Sequence, residues 1–495
     1  MPPIRRLTAA LLLTPLLAGC FASSDPGGDD SAEDDARLRV ALAFPPTAGL
    51  SPYSDDATLL TRLGVTEGLT RLDANGTAAP ALAESWHREN DRSWVFSLRE
   101  ARFQDGGDVT PKAVAGALTR AAAAEPVPAA LAGVKLTAEA TGNGEVRVTT
   151  DSPDPVLPQR LSSPALVVLS PKAYKKPERP SPVGTATGPF EISQQSGTRA
   201  TLDRFDGHWG GRALAAGVDA RFVADGQART NALRSGEVDI AESVPFAQAG
   251  SLKKGVAREV PTARTTALYL NSDKGVFADA GVRAAARAAV DPSALAEDVY
   301  EGHADAGRGL YGPALSWTRG ERPEPTGRAK AVKPPKGTLT LATYDNRPEL
   351  PEIAQVVQQQ LEKAGFTVKL EVREYSRIES DVLEGRFDAF VSTRSTMLDT
   401  GDPVSILRSD FGCDGSYNLS LLCDRGLDRK VEAAAGTDDQ AARRKAALGA
   451  EAVLLGTDAF VPLAHQRLVH GVDGAVSGAV LDPYERTLVG LGTRR

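Results

Sequence analysis

Between residues 338 and 391 the spacing of apolar residues switches twice between a period of two and a helical period. Residues 338–343 alternate as a strand. Residues 351–364 carry Ile353, Val356, Val357 and Leu361 at helical spacing and stop at Gly365. Residues 367–372 alternate again, with Val368, Leu370 and Val372 on one face. A short helical run over 378–383 and an apolar strand over 387–391 complete the series. Strands that alternate with helices must return across the sheet, so this order predicts a mostly parallel sheet with helices on its faces. The expected fold class is α/β. Open sheets of this kind bind ligands in the crevice beyond the carboxyl ends of their strands. The segment 396-TMLDTGDPVSILRSDFGC-413 begins just past the last strand, which makes Asp399 a candidate ligand contact. No His, Ser–Lys pair or phosphate-binding glycine pattern accompanies Asp399 and Asp402. A base, a metal ligand and a fixed charge awaiting something positive are all open. Asp402 precedes Pro403, a pairing that reads as a helix N-cap.

The rest of the chain follows a related logic. Residues 229–235 read as helical with a stop at Gly236, 238–244 and 267–270 as strands, and 461–463 as a short apolar run ahead of Val469. The Pro-, Gly-, Lys- and Arg-rich residues 318–337 read as a solvent-facing connection. Two α/β bodies joined by extended segments leave a cleft between them, and hinge closure on a ligand belongs to that shape. About 460 residues beyond the leader exceed one core, so two or three domains are expected.

The ends of the chain bear on where it works. Residues 1–19 read as a secretory signal, with Arg5 and Arg6 ahead of an apolar run from Leu7 to Leu17. That run is shorter than the ~20 apolar residues a spanning helix needs. Leu17-Ala18-Gly19-Cys20 resembles the bacterial lipobox, in which Cys20 becomes the lipidated first residue. Residues 20–36 hold six acidic side chains without apolar periodicity and read as a solvated tether. The expected location is extracytoplasmic, lipid-anchored to the outer face of the cell membrane. Besides Cys20 the chain has only Cys413 and Cys423. In an exported chain these are expected to pair as a disulfide; zinc, the alternative, normally takes four ligands.

Composition excludes several functions. A net charge of −7 argues against nucleic acid, which needs clustered Lys and Arg. Aromatic residues make up only 5%, so stacking faces for sugars are scarce. No H-E-x-x-H, G-x-S-x-G or S-x-x-K pattern offers a nucleophile or metal site, so an enzyme is not expected. No cofactor and no metal site are expected.

Several segments together resemble a family. Residues 80–103, PALAESWHRENDRSWVFSLREARF, followed by Gln104-Asp105-Gly106, are similar to a signature of bacterial extracellular solute-binding proteins of the peptide/nickel group, family 5. Gly188-Pro189-Phe190, then Asp206-Gly207-His208-Trp209-Gly210-Gly211, then Gly236-Glu237-Val238-Asp239-Ile240-Ala241, resemble three more of its motifs in order. Asn271, Val282-Arg283 and Ala289-Val290-Asp291-Pro292 match a further one. The resemblance implies a two-lobed periplasmic-binding-protein fold, type II, cluster C, with an extra N-terminal subdomain. It places the first lobe at 37–58, 182–266 and 467–495, the extra subdomain at 59–181 and the second lobe at 267–466. Hinges are expected near 268–271 and 465–469.

The resemblance also implies a role. It is that of the substrate-binding lipoprotein of an ABC importer, a monomer that hands a short peptide to a permease complex. In dipeptide- and oligopeptide-binding members an aspartate before an acid–Pro step holds the peptide's α-ammonium, and Asp399 resembles it. Those members carry a Trp three residues earlier, where this chain has Thr396. Met397 lies beside it. Asp56 and Thr58 align with a ligand-side loop of the first lobe, and Tyr269 lies on the crossing segment. Asn418 belongs to a G-S-Y-N element flanked by Cys413 and Cys423, as in dipeptide binders. All are expected ligand-side residues. The alternative is the same fold with another cargo: a nickel chelate, heme, an oligosaccharide or an amine-bearing small molecule. Trp86, Trp94, His208, Trp209, His465 and His470 read as structural.

Overall fold

The computed structural model describes residues 36–495, apart from Glu321, Pro348 and Leu398. The signal, the lipobox cysteine and nearly all of the tether fall outside the described residues.

One large mixed sheet runs through the molecule. From one edge to the other its strands are Thr367–Arg373, Thr338–Tyr344, Ala389–Ser395, Ala257–Leu270, Phe460–Val472, Ile240–Ala241, Arg37–Leu42, Gly217–Phe222, Arg199–Arg204 and Phe190–Gln195; Ala304–Ala306 pairs beside the Phe460–Val472 strand. The strand–helix–strand unit of the second half is present. Thr338–Tyr344 pairs in parallel with both Thr367–Arg373 and Ala389–Ser395. The helix Glu349–Lys363 crosses between them and buries Leu350, Ile353, Ala354, Val357 and Leu361. Val368 is buried but Val372 is 39% exposed, because Thr367–Arg373 is the edge strand and its cover thins toward its end. In the first half Arg37–Leu42 pairs in parallel with Gly217–Phe222 and Ile240–Ala241. Residues 238–244, expected as one strand, pair only at Ile240–Ala241.

Two long strands join these halves, and here the pattern is antiparallel. Ala257–Leu270 has 14 residues and Phe460–Val472 has 13, where only short strands were expected. Polar residues interrupt the apolar runs at their centres, yet these are buried with partners. Thr262 donates to the Gln466 carbonyl, Thr265 to the Leu310 carbonyl, and Thr266 meets the Tyr300 hydroxyl. The pairing register breaks between Pro261 and Thr265, since Pro cannot donate to a ladder. That break precedes the expected hinge at 268–271, of which residues 268–270 pair regularly with Ala389–Val391.

A four-stranded antiparallel sheet, ordered Ala83–Arg88, Ser93–Leu98, Glu145–Thr150, Leu136–Gly142, forms a separate layer under the helix Pro111–Ala122. Thr110 caps that helix by accepting from the Ala113 amide, and Pro111 occupies its first turn. Trp86 and Trp94 pack against the core of this layer. Gly188 closes it onto the first lobe: a Cβ there would stand 2.3 Å from the Gly64 carbonyl oxygen. His208 and Trp209 both reach Glu67, the indole N–H at 3.0 Å.

Candidate functional site

The loop that leaves the Ala389–Ser395 strand is pinned on both sides of Asp399. Ahead of it, the Thr396 amide and hydroxyl both donate to the Ala263 carbonyl, each at 2.9 Å. Met397 is 2% exposed in the core of the second lobe, and its carbonyl accepts from Arg486 at 3.1 Å. Beyond it, Asp402 receives a bidentate pair from Arg443, both contacts at 2.7 Å, with both side chains buried. Asp402 does occupy the N-cap position of the helix Pro403–Phe411, but its side chain caps no amide. The arginine from a later helix takes both oxygens instead.

The hairpin formed by Thr70–Leu72 and Ala78–Pro80 roofs this loop. Gly401, at φ +67°, faces Leu72 so closely that a Cβ would meet it at 2.7 Å. From the second lobe Arg444 donates to the Asn75 carbonyl at 2.7 Å, and Asp438 pairs with Arg88 at 2.7 Å. These contacts join the extra subdomain to the second lobe.

Between its fixed ends Asp399 is half-buried and, among the described residues, has no hydrogen-bond or ion-pair partner. Desolvation raises its pKa above the ordinary aspartate value; Arg394 opposes the rise and Asp410 adds to it. Arg394 is already engaged, donating to Asp410 at 2.8 and 3.2 Å while lying 4.2 Å over the Tyr417 ring. The Tyr417 hydroxyl meets that of Tyr375, which donates to Glu379 at 2.6 Å. Tyr375 in turn packs edge-on against Tyr344, 4.9 Å away.

Two further charges face this wall. Asp55 stands at the start of the helix Asp56–Arg62, exposed and capping no amide. Its pKa is raised by desolvation first and then by Glu379, Asp56 and Asp399, so it lies within electrostatic reach of the second lobe's acids. Arg347 follows the Thr338–Tyr344 strand and lies 5.6 Å over the Phe44 ring of the first lobe. Among the described residues its guanidinium has no hydrogen-bond or ion-pair partner. Desolvation opposes its charge, but Glu349, Tyr344 and Glu485 raise its pKa overall.

Three expected ligand-side residues, Asp56, Tyr269 and Asn418, are engaged elsewhere. Asp56 is 2% exposed and accepts from the Thr47, Ala48 and Leu50 amides at 2.8, 2.8 and 2.9 Å, so it braces the 47–50 loop while its neighbour Asp55 stays exposed. Thr58 lies within the same helix, half-buried. Tyr269 is 1% exposed and packed between Phe411 and Phe460. Asn418 donates to the Gly412 and Leu422 carbonyls and accepts from the Leu422 amide, bracing the 413–423 loop. Thr396 and Met397 are buried as described, and Asp399 is the charged side chain of the expected set that has no hydrogen-bond or ion-pair partner among the described residues. The sulfurs of Cys413 and Cys423 are 2.13 Å apart. Arg347, Tyr375, Glu379 and Tyr417 were not anticipated. Arg347 carried a usable signal, since it follows a parallel strand's carboxyl end as Asp399 does. Among the described residues, no group of three or more His, Cys, Asp or Glu side chains is disposed to hold a metal ion.

The family described as bacterial extracellular solute-binding proteins, family 5, middle region, matches residues 77–418. The probable D,D-dipeptide-binding periplasmic protein DdpA of Escherichia coli K12 is 25% identical over 438 residues, covering 83% of this chain and 84% of that one. The structure of NikA from Staphylococcus aureus in complex with Ni(L-His)2 superposes with a TM-score of 0.79 at 21% identity, covering 93% of this chain and 99% of that one. DppA from Helicobacter pylori, in complex with the peptide STSA, gives 0.77 at 19% identity over 94% and 99%. With the family's pattern spanning more than half of its length, and the same two-lobed fold enclosing the charged wall around Asp399, this chain belongs to the bacterial extracellular solute-binding proteins of family 5.

Proposed function

We propose that the protein captures a short peptide between its lobes and delivers it to an ABC permease, acting as a transport binder and not as an enzyme. One observation carries this reading. Asp399 and Arg347, opposite in charge and each without a partner among the described residues, follow the carboxyl ends of two adjacent parallel strands. A zwitterion complements such a pair. Its ammonium meets Asp399 and its carboxylate meets Arg347, each as a charge-assisted hydrogen bond in a cleft that excludes water. The peptide-binding relatives support the choice of cargo. Anchoring by lipidated Cys20, a Cys413–Cys423 disulfide, a monomeric state and the lobe boundaries expected above complete the proposal.

The test is identification of the solute that co-purifies with the protein from its own host, by mass spectrometry after denaturation. A peptide bearing a free amine and a free carboxylate is the expected result. A stoichiometric non-peptide solute, such as an amino-acid chelate of nickel, would overturn the peptide reading in favour of another cargo for the same fold.

A further inference from the structure

Arg486 belongs to the C-terminal segment assigned to the first lobe, yet its guanidinium reaches the two other bodies. Nη1 donates to the Ser162 carbonyl and hydroxyl of the extra subdomain at 3.1 and 2.8 Å, and Nη2 donates to the Met397 carbonyl of the second lobe at 3.1 Å. Met397 stands two residues before Asp399. Arg486 is 6% exposed, and its backbone is fixed from both sides. The Asp482 carboxylate accepts from the Tyr484, Arg486 and Thr487 amides at 2.9, 2.8 and 3.1 Å. Glu485 receives Arg264 of the long crossing strand at 3.0 and 3.1 Å. A cation on so rigid a turn can hold a neighbouring loop in place.

Its charge matters as much as its reach. Burial favours the neutral form of Asp399, and the charges that act on it are Arg394, Asp410 and Arg486. Asp55 of the first lobe feels Asp399 in return. Arg394 is bound by Asp410 through both Nε and Nη2, so these two act on Asp399 as a compensated pair, one lowering its pKa and the other raising it. Arg486 adds a positive charge from another lobe. Burial lowers the Arg486 pKa to about 10, with Asp482, Asp399 and Tyr484 opposing the fall, so it stays charged at neutral pH.

Resting on the role given above to Asp399, we propose that Arg486 is a positioning residue for ligand capture, holding the Asp399 loop through the Met397 carbonyl and keeping Asp399 ionised to receive an ammonium. The contact spans the first and second lobes, so it is complete only when they are closed on each other. Asp399 therefore reaches full strength as a countercharge in the closed protein, and ammonium capture is coupled to closure.

Urea unfolding across pH tests the charge, on ligand-stripped wild type, Asp399→Asn, Arg486→Gln and the double variant. The stability difference between a protein and its Asp399→Asn partner reports the ionisation of Asp399. Its raised pKa means that this difference falls as pH rises, from the unfolded value up to the folded one. With Arg486→Gln the fall should extend to higher pH and deepen by roughly tenfold in the unfolding constant, the equivalent of one pH unit at Asp399. Arg486→Lys should restore the wild-type curve. If Arg486→Gln lowers stability equally with and without Asp399→Asn, Arg486 is merely structural and the inference is overturned. Should Arg486→Gln not fold, Arg486→Lys carries the test, and a curve displaced from that of wild type would overturn the inference. Mass spectrometry of the co-purified solute retained during dialysis tests the capture: release should be roughly tenfold faster from Arg486→Gln than from wild type, and equal rates would overturn the inference. The identity of that solute decides the peptide reading; its rate of release decides the role of Arg486.

Discussion

Replacing Asp399 and Asp402 separately by Asn should give opposite phenotypes, although the two lie three residues apart in one loop. Asp402 holds Arg443 through two contacts of 2.7 Å, with side-chain exposures of 3% and 5%. Breaking a buried pair strands the other charge and costs about 3–5 kcal/mol. Arg443 keeps its bonds to the Ala434 and Ala435 carbonyls, so the lower end of that range is expected for Asp402→Asn. Asp399 has no such partner to strand, and burial works against its charge. Asp399→Asn should therefore leave stability unchanged or slightly raised. Its cost should fall on binding: removing one member of a buried charged contact costs about 2–5 kcal/mol, a roughly thirtyfold to several-thousandfold loss of affinity. Urea unfolding measures the first quantity, and calorimetry with the co-purified ligand measures the second. The reasoning fails if Asp399→Asn binds as tightly as wild type. It fails equally if an N-acetylated ligand binds as well as the free amine, or if Asp402→Asn is as stable as wild type.

Acid should destabilise the fold through His465, whose Nε2 accepts from the Arg308 amide while Nδ1–H donates to Thr265, leaving no place for a second proton. Burial lowers its pKa to about 3, so its contribution is complete above the unfolded value of about 6.5 and declines as pH falls; about 2 kcal/mol should be gone at pH 5, and His465→Gln should flatten that part of the stability–pH curve. Cys413→Ser should lower stability by ~3 kcal/mol, the loop-closure value for so short a ring, and a non-reduced digest of the wild type should hold a Cys413–Cys423 cross-linked peptide; two alkylatable thiols in the exported protein would refute the pairing. Cys20→Ser should abolish palmitate labelling and release the protein from the membrane fraction, and a wild type that never incorporates palmitate would refute the anchor.

The sequence alone determined the α/β class, the parallel unit from Thr338 to Ser395 and the position of Asp399 beyond its last strand. These depend on local periodicity and on a rule about strand ends, and both are written within a few dozen consecutive residues. Roles that depend on distant partners were not legible. Asp402 followed by Pro403 reads as a cap, and only the arrival of Arg443, 41 residues later, makes it half of a buried ion pair. Asp55 and Asp56 are chemically identical neighbours. A helix turns about 100° per residue, so one is exposed while the other is enclosed by three amides of the preceding loop. Apolar pattern likewise underestimated the two crossing strands, because Thr265, Thr266, His465 and Gln466 are buried polar residues. Their hydrogen-bond partners come from the Tyr300–Leu310 segment, from each other's strands and, for the Gln466 side chain, from Glu349. Tertiary structure decides which polar side chains are satisfied from within, and so which remain to meet a ligand: satisfaction is a property of neighbours in space, and burial makes its absence costly.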